Sequence, residues 1–156
     1  MGGTMFDSEL SSETLVWVRE SELPAGESHV ELVRLMAAEL AGLTGWRSRT
    51  LVNTALEREA QDSTYLGYAL AIPHARVFGI SQPAVYLARS SAGVDWQGSL
   101  TRLVFLVVVP EECPEWHLQL LSRIVRWRQK SGLTEDEMVS MPAAELTRIL
   151  RELLAL

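Results

Sequence analysis

The run L-V-F-L-V-V-V, Leu103 to Val109, constrains this chain more than any other stretch. It is continuously apolar and rich in valine, with no alternation of polar and apolar residues. A strand of this kind has no face to offer water and must be covered on both sides. Pro110 ends it, well short of the roughly 18 apolar residues a membrane span needs. Such a strand belongs at the centre of a sheet layered between helices. The chain can supply that cover, with 156 residues, 47% of them hydrophobic, and five tryptophans. It is expected to form a single domain over residues 1–156, with a loose polar segment at 1–13.

The flanking pattern supports an α/β fold. Leu15 to Val18 is a short β-like run. From about Ser28, the positions Val30, Val33, Leu35, Met36 and Leu40 trace an amphipathic helix, with Gly42 or Gly45 to end it. A second helix is expected from about Ser48 to Arg58 or Glu59. Tyr65–Ile72 and Ala84–Ala88 read as strands. Pro114 is placed to open a helix with a broad apolar face through Leu118, Leu121, Ile124, Val125 and Trp127. Thr134 with Glu137 forms a capping pattern for a short helix, and Pro142 opens the last one. The expected architecture is a mixed central β-sheet of about five strands with helices on both faces.

Charge and cysteine content narrow the function classes. Net charge is −6, whereas a nucleic-acid binder carries a basic face. The densest basic run, Arg123, Arg126, Arg128 and Lys130, reads as a solvated helix face. The one cysteine, Cys113, allows no disulfide within the chain, and a reducing, cytoplasmic setting is the default expectation. The N-terminus lacks the pattern of a secretory signal, and no membrane insertion is expected.

There are three histidines. His29 falls in the opening turn of a surface helix and reads as a solvent-facing residue. His74 ends A-I-P-H. Pro73 fixes the backbone before it and holds Ile72 extended, so the imidazole leaves the strand at a defined angle. Local context leaves two readings, a structural polar residue at a strand end or a reactive group. His117 lies in the first turn of its helix, where the dipole disfavours an imidazolium but a neutral ring can donate to an anion. Arg58 is either a surface ion-pair partner of Glu57 or Glu59 or a fixed fork for phosphate. No P-loop, dinucleotide fingerprint, metalloprotease helix or hydrolase elbow is present. A zinc site from His74, Cys113 and His117 matches no familiar spacing.

In combination these residues resemble a known family. L-E-R-E-A-Q-D-S-T-Y-L-G-Y-A-L-A-I-P-H-A-R, V-D-W before the apolar strand, and the later W-H-L-Q-L-L-S-R-I are similar to the enzyme IIA domain of the fructose/mannitol class of the bacterial phosphotransferase system. The resemblance runs from about Ser28 to the C-terminus. It implies that His74 is the phosphorylated histidine, that Arg58 holds phosphoryl oxygens, and that His117 is a second active-site histidine and donor. It places Thr64 near the pocket. It implies a phosphohistidine carrier of the HPr type, or its nitrogen-branch counterpart, as donor, and no metal or nucleotide cofactor. The acceptor is then either a IIB component in sugar transport or a regulatory target in a nitrogen-type role. A non-phosphorylated interaction module on the same fold is the alternative. The chain departs from the family where Tyr65 and Ala69 replace two usual glycines, which alters the surface near the histidine. Tyr65, Tyr68, Val77 and Phe78 are expected to form part of an apolar docking surface there.

Overall fold

The computed structural model describes residues 10–156. Its centre is a six-stranded mixed sheet. The strands are β1 (Leu15–Val18), β2 (Tyr65–Gly67), β3 (Leu70–Ala71), β4 (His74–Val77), β5 (Ala84–Trp96) and β6 (Ser99–Pro110). The helices are α1 (His29–Thr44), α2 (Ser48–Gln61), α3 (Glu115–Lys130), α4 (Glu135–Ser140) and α5 (Ala143–Leu153).

The apolar run lies in β6 and is buried throughout. Alternation along a strand sends successive side chains to opposite faces. Val104, Leu106 and Val108 accordingly pack with Leu32, Met36, Leu40 and Leu51 of α1 and α2. Leu103, Phe105, Val107 and Val109 pack with Leu120, Ile124, Leu146 and Leu150 of α3 and α5. Each face of one strand thus anchors its own helical layer, as its uniform hydrophobicity requires.

β6 pairs antiparallel with β5 on one side and parallel with both β3 and β4 on the other. Leu70 lies opposite Leu103 and His74 opposite Val107, so both short strands keep the same register. They behave as one strand interrupted at Ile72–Pro73. Proline has no N–H to give a ladder, and the Ile72 N–H turns the other way, to the Thr64 carbonyl at 3.0 Å. β4 itself is a strand that the sequence pattern does not announce, because Pro73 looks like a terminus.

Helix ends follow local chemistry. The Ser28 side chain caps α1 and Gly45 closes it at φ +79°. Thr134 and Glu137 form a reciprocal capping box on α4. The basic run on α3 is less solvated than expected: Arg128 bonds the Tyr68 carbonyl at 3.0 Å and Glu135 at 2.6 Å. Part of the expected loose N-terminus, residues 1–9, lies outside the described residues. Ser11 and Glu13 are tied down, through Ser11 N–H to Ser81 and Gln82 to the Glu13 carbonyl.

Tyr65–Ile72 is a tight hairpin rather than one strand. Tyr68 and Ala69 connect β2 to β3, both at positive φ, +55° and +58°. Two left-handed residues in a row are what a type I′ turn demands, normally met by Asn and Gly. Alanine in that region costs about 1–2 kcal/mol. Part of this is offset because glycine has more freedom to lose on folding. Ala69→Gly should therefore stabilise the protein, raising the thermal midpoint by about 2–4 °C. A lower midpoint in a thermal melt would show that the turn is not strained.

Candidate active site

Three segments meet at the C-terminal end of α2. The last turn of α2 supplies Arg58, the first residue of β4 supplies His74, and the first turn of α3 supplies His117. They line a cleft of about 690 Å³ together with Arg76, Glu57, Glu111, Glu115 and Leu118. His74 and His117 stack with ring centroids 3.9 Å apart and planes tilted by 33°.

The two nitrogens of His74 have different partners. Nδ1 lies 3.2 Å from the Ile72 carbonyl oxygen. A carbonyl only accepts, so Nδ1 carries the proton. Nε2 accepts from the Arg58 Nε–H at 3.0 Å. Both contacts require the same tautomer, with the Nε2 lone pair facing the cleft. Arg58 also donates from Nη1 to the Asp62 carbonyl at 2.9 Å, which ties its guanidinium to the end of its own helix.

The site keeps this imidazole neutral. Burial is the main cause, and the neighbouring His117, Arg58 and Arg76 add to it; the Ile72 carbonyl opposes it. Together they push His74 down to about 4. His117 is also lowered, by burial first and then by the charges of Arg58 and Arg76. Its Nε2 is buried with no hydrogen-bond partner among the described residues. A group in that state is open to a ligand that completes a hydrogen bond, an acceptor when Nε2 carries the proton.

Several expected residues sit elsewhere. Thr64 does not line the cleft. It is buried, and its hydroxyl donates to Glu59 at 2.6 Å. Neither Glu57 nor Glu59 pairs with Arg58; Glu59 is buried and faces the other way, toward Thr64 and Trp96. Of the expected docking surface, Val77 is buried and Tyr65 half-buried, while Tyr68 and Phe78 are exposed outside the cleft lining. Leu118, expected on the packed face of α3, is instead 66% exposed at the cleft rim. His29 is not a solvent residue: it packs on Trp96 at 5.4 Å between ring centroids. The first N–H groups of α3 are less free than its position suggests. Those of Trp116 and His117 bond the Cys113 and Pro114 carbonyls at 3.1 and 3.2 Å. Arg76 is a cleft residue whose place the sequence signals only by period, since it shares a strand face with His74.

Comparison with known proteins identifies relatives of the chain as a whole. A nitrogen regulatory protein of Bradyrhizobium diazoefficiens is 30% identical over 136 residues, covering 84% of this chain and 89% of its own. A fructose-specific EIIA component from Haloferax volcanii is 35% identical over 103 residues, covering 64% of each chain. The crystal structure of nitrogen regulatory protein IIA-Ntr from Neisseria meningitidis superposes with a TM-score of 0.67 at 25% identity, over 96% of this chain and 99% of that one. IIA mannitol from Escherichia coli shares the fold, with a TM-score of 0.59 at 21% identity over 92% of this chain and 96% of its own. The family model for the phosphoenolpyruvate-dependent sugar phosphotransferase system, EIIA 2, matches residues 24–152, and the chain belongs to that family.

Proposed function

We propose that the protein is a phosphocarrier that accepts a phosphoryl group on His74 from a phosphohistidine carrier of the HPr type, and that it acts as a nitrogen-type regulatory IIA. The observation that carries the first part is the divided hydrogen bonding of His74. It leaves Nε2 unprotonated on the cleft side, its lone pair held only by the Arg58 Nε–H that phosphorus would displace.

Transfer is a displacement at phosphorus. The Nε2 lone pair forms the new P–N bond while the donor's P–N bond breaks and its electron pair returns to the donor imidazole. Each ring keeps the proton on its other nitrogen, so no base is needed. Positive charge that grows on the His74 ring is spread toward the Ile72 carbonyl through Nδ1–H. As phosphorus takes the lone pair, Arg58 loses its acceptor and its fork is free for phosphoryl oxygens. His117 Nε2, when it carries the proton, donates to another oxygen. Phosphoryl transfer rests mainly on such positioning and charge stabilisation. Exposed Leu118 at the rim offers apolar contact to an incoming carrier.

The nitrogen-type role draws on near-complete coverage of two nitrogen regulatory proteins in sequence and in structure. A second reading, a sugar-type relay to a IIB component, is favoured by the similarity to the Haloferax fructose-specific component. The E. coli complex of IIA mannitol with phosphorylated IIB is a fold-level parallel, at 18% identity and a TM-score of 0.59 over 94% of this chain and 96% of its own.

Incubation with phosphoenolpyruvate, enzyme I and HPr-type carriers should add one acid-labile phosphate, read by intact mass, and His74→Ala should add none. An unlabelled parent protein beside a working positive control would overturn the phosphocarrier reading and favour an interaction module. Acceptance should also be insensitive to pH across neutrality. The neutral ring is the competent form, and with His74 near 4 it persists as pH falls until about 5. An imidazole at the ordinary value would be half protonated at about pH 6.5 and almost wholly protonated by about pH 5. Single-turnover rates with phosphoramidate, which avoids titrating a carrier, should stay flat between about pH 8 and 5. A midpoint near the ordinary value would mean that burial does not hold the ring neutral.

A further inference from the structure

The Glu59 side chain is 1% exposed, yet the transfer chemistry makes no use of its carboxylate. Its oxygens collect three hydrogen bonds. Oε1 accepts from the Thr64 hydroxyl at 2.6 Å, and Oε2 accepts from the Thr64 N–H at 3.2 Å and from Trp96 Nε1 at 3.1 Å. His29 Nε2 stands 3.9 Å from the same Oε2. A buried carboxylate is costly unless such partners compensate it, so its presence beside the site calls for a role.

We propose that Glu59 is a positioning residue for His74, and that it sets which imidazole nitrogen faces the cleft. The route runs through two residues. Glu59 holds Thr64 by both its N–H and its hydroxyl, which fixes the connection from α2 into β2. The Thr64 carbonyl then accepts the Ile72 N–H at 3.0 Å. The carbonyl of Ile72 accepts Nδ1–H of His74. Pro73 lies between Ile72 and His74 and has no N–H of its own, so the bond to Thr64 orients the Ile72 residue at the break in the strand. The far end of the chain of contacts is rigid: Trp96 is the last residue of β5 and is 1% exposed. Glu59 also follows Arg58 directly, so the same anchor steadies the helical turn from which Arg58 reaches Nε2.

The bonding pattern says which replacements keep the function. Both fixed donors, the Thr64 N–H and the Trp96 indole N–H, point at Oε2. The Oε1 partner is a hydroxyl that can rotate to accept instead of donate. Glutamine with its oxygen at the Oε2 position satisfies all three, whereas leucine satisfies none.

The test reads the tautomer of His74 in the unphosphorylated full chain, by long-range ¹H–¹⁵N correlation of the imidazole nitrogens at neutral pH. This readout is independent of the proposed phosphocarrier role, on which only the accompanying rate measurement rests. Failure of phosphorylation and failure of positioning are therefore separable. Wild type and Glu59→Gln should show the Nδ1–H form alone. Glu59→Leu should show a mixture of both tautomers and a phosphoryl acceptance rate lower by roughly tenfold or more. A merely structural carboxylate would lower the melting temperature of Glu59→Leu and leave the tautomer untouched, which would overturn the proposal. Glu59→Gln behaving like Glu59→Leu would also overturn it, by assigning the effect to charge. If Glu59→Leu fails to fold, Thr64→Val and Thr64→Ser take its place. Valine should shift the tautomer and serine should restore it; equal, wild-type spectra from both would refute the route through Thr64.

Discussion

The hydrogen bond between His74 Nδ1 and the Ile72 carbonyl decides which nitrogen the site presents. It depends on a break in a strand. β3 and β4 follow one register along β6, and the interruption at Ile72–Pro73 frees the Ile72 carbonyl to turn toward the imidazole. The register holds because β6 is buried on both faces and cannot slip without exposing a whole set of apolar side chains. The hydrophobic core and the protonation state of one ring are therefore connected through a few backbone atoms.

Electrostatics then acts through the charges nearest the rings, although Glu57, Glu111 and Glu115 also line the cleft. The chain is acidic overall, at −6, but Arg58 and Arg76 stand beside the two histidines. Their charges and the burial of the rings both disfavour imidazolium. The guanidinium charges, unlike the burial, suit the dianionic phosphoryl group of the proposed transfer, which supplies acceptors for Arg58 and a partner for His117 Nε2, which has none among the described residues. An environment that is unfavourable to a proton on Nε2 is thus favourable to phosphorus there.

Much of this was legible in the residues. The uniform apolar run placed a central strand with helices on both faces. Ser28, Gly45 and the Thr134–Glu137 pair marked helix ends by local chemistry alone. R-E, A-I-P-H and H-L, in order, singled out the residues that the fold brings together. What was not legible depends on distant partners. Thr64 and Glu59 form one buried pair with Trp96, and nothing in local sequence joins position 59 to position 96. His29 looked solvated because its partner, Trp96, is far along the chain. Leu118 fits the helical period but lies beyond the packed arc of α3. The hairpin at Tyr68–Ala69 was hidden because neither residue is one a left-handed turn normally uses.

The most direct measurement is the position of the phosphate on the imidazole. The phosphorylated protein, labelled with ¹⁵N at histidine, is examined by ³¹P and ¹⁵N NMR under mildly alkaline conditions where phosphohistidine survives. Coupling of phosphorus to Nε2 of His74, with Nδ1 still directed at the Ile72 carbonyl, is the expected result. Phosphate on Nδ1, or on His117, would contradict the assignment of Nε2 as the nucleophile and with it the role of the divided hydrogen bonds.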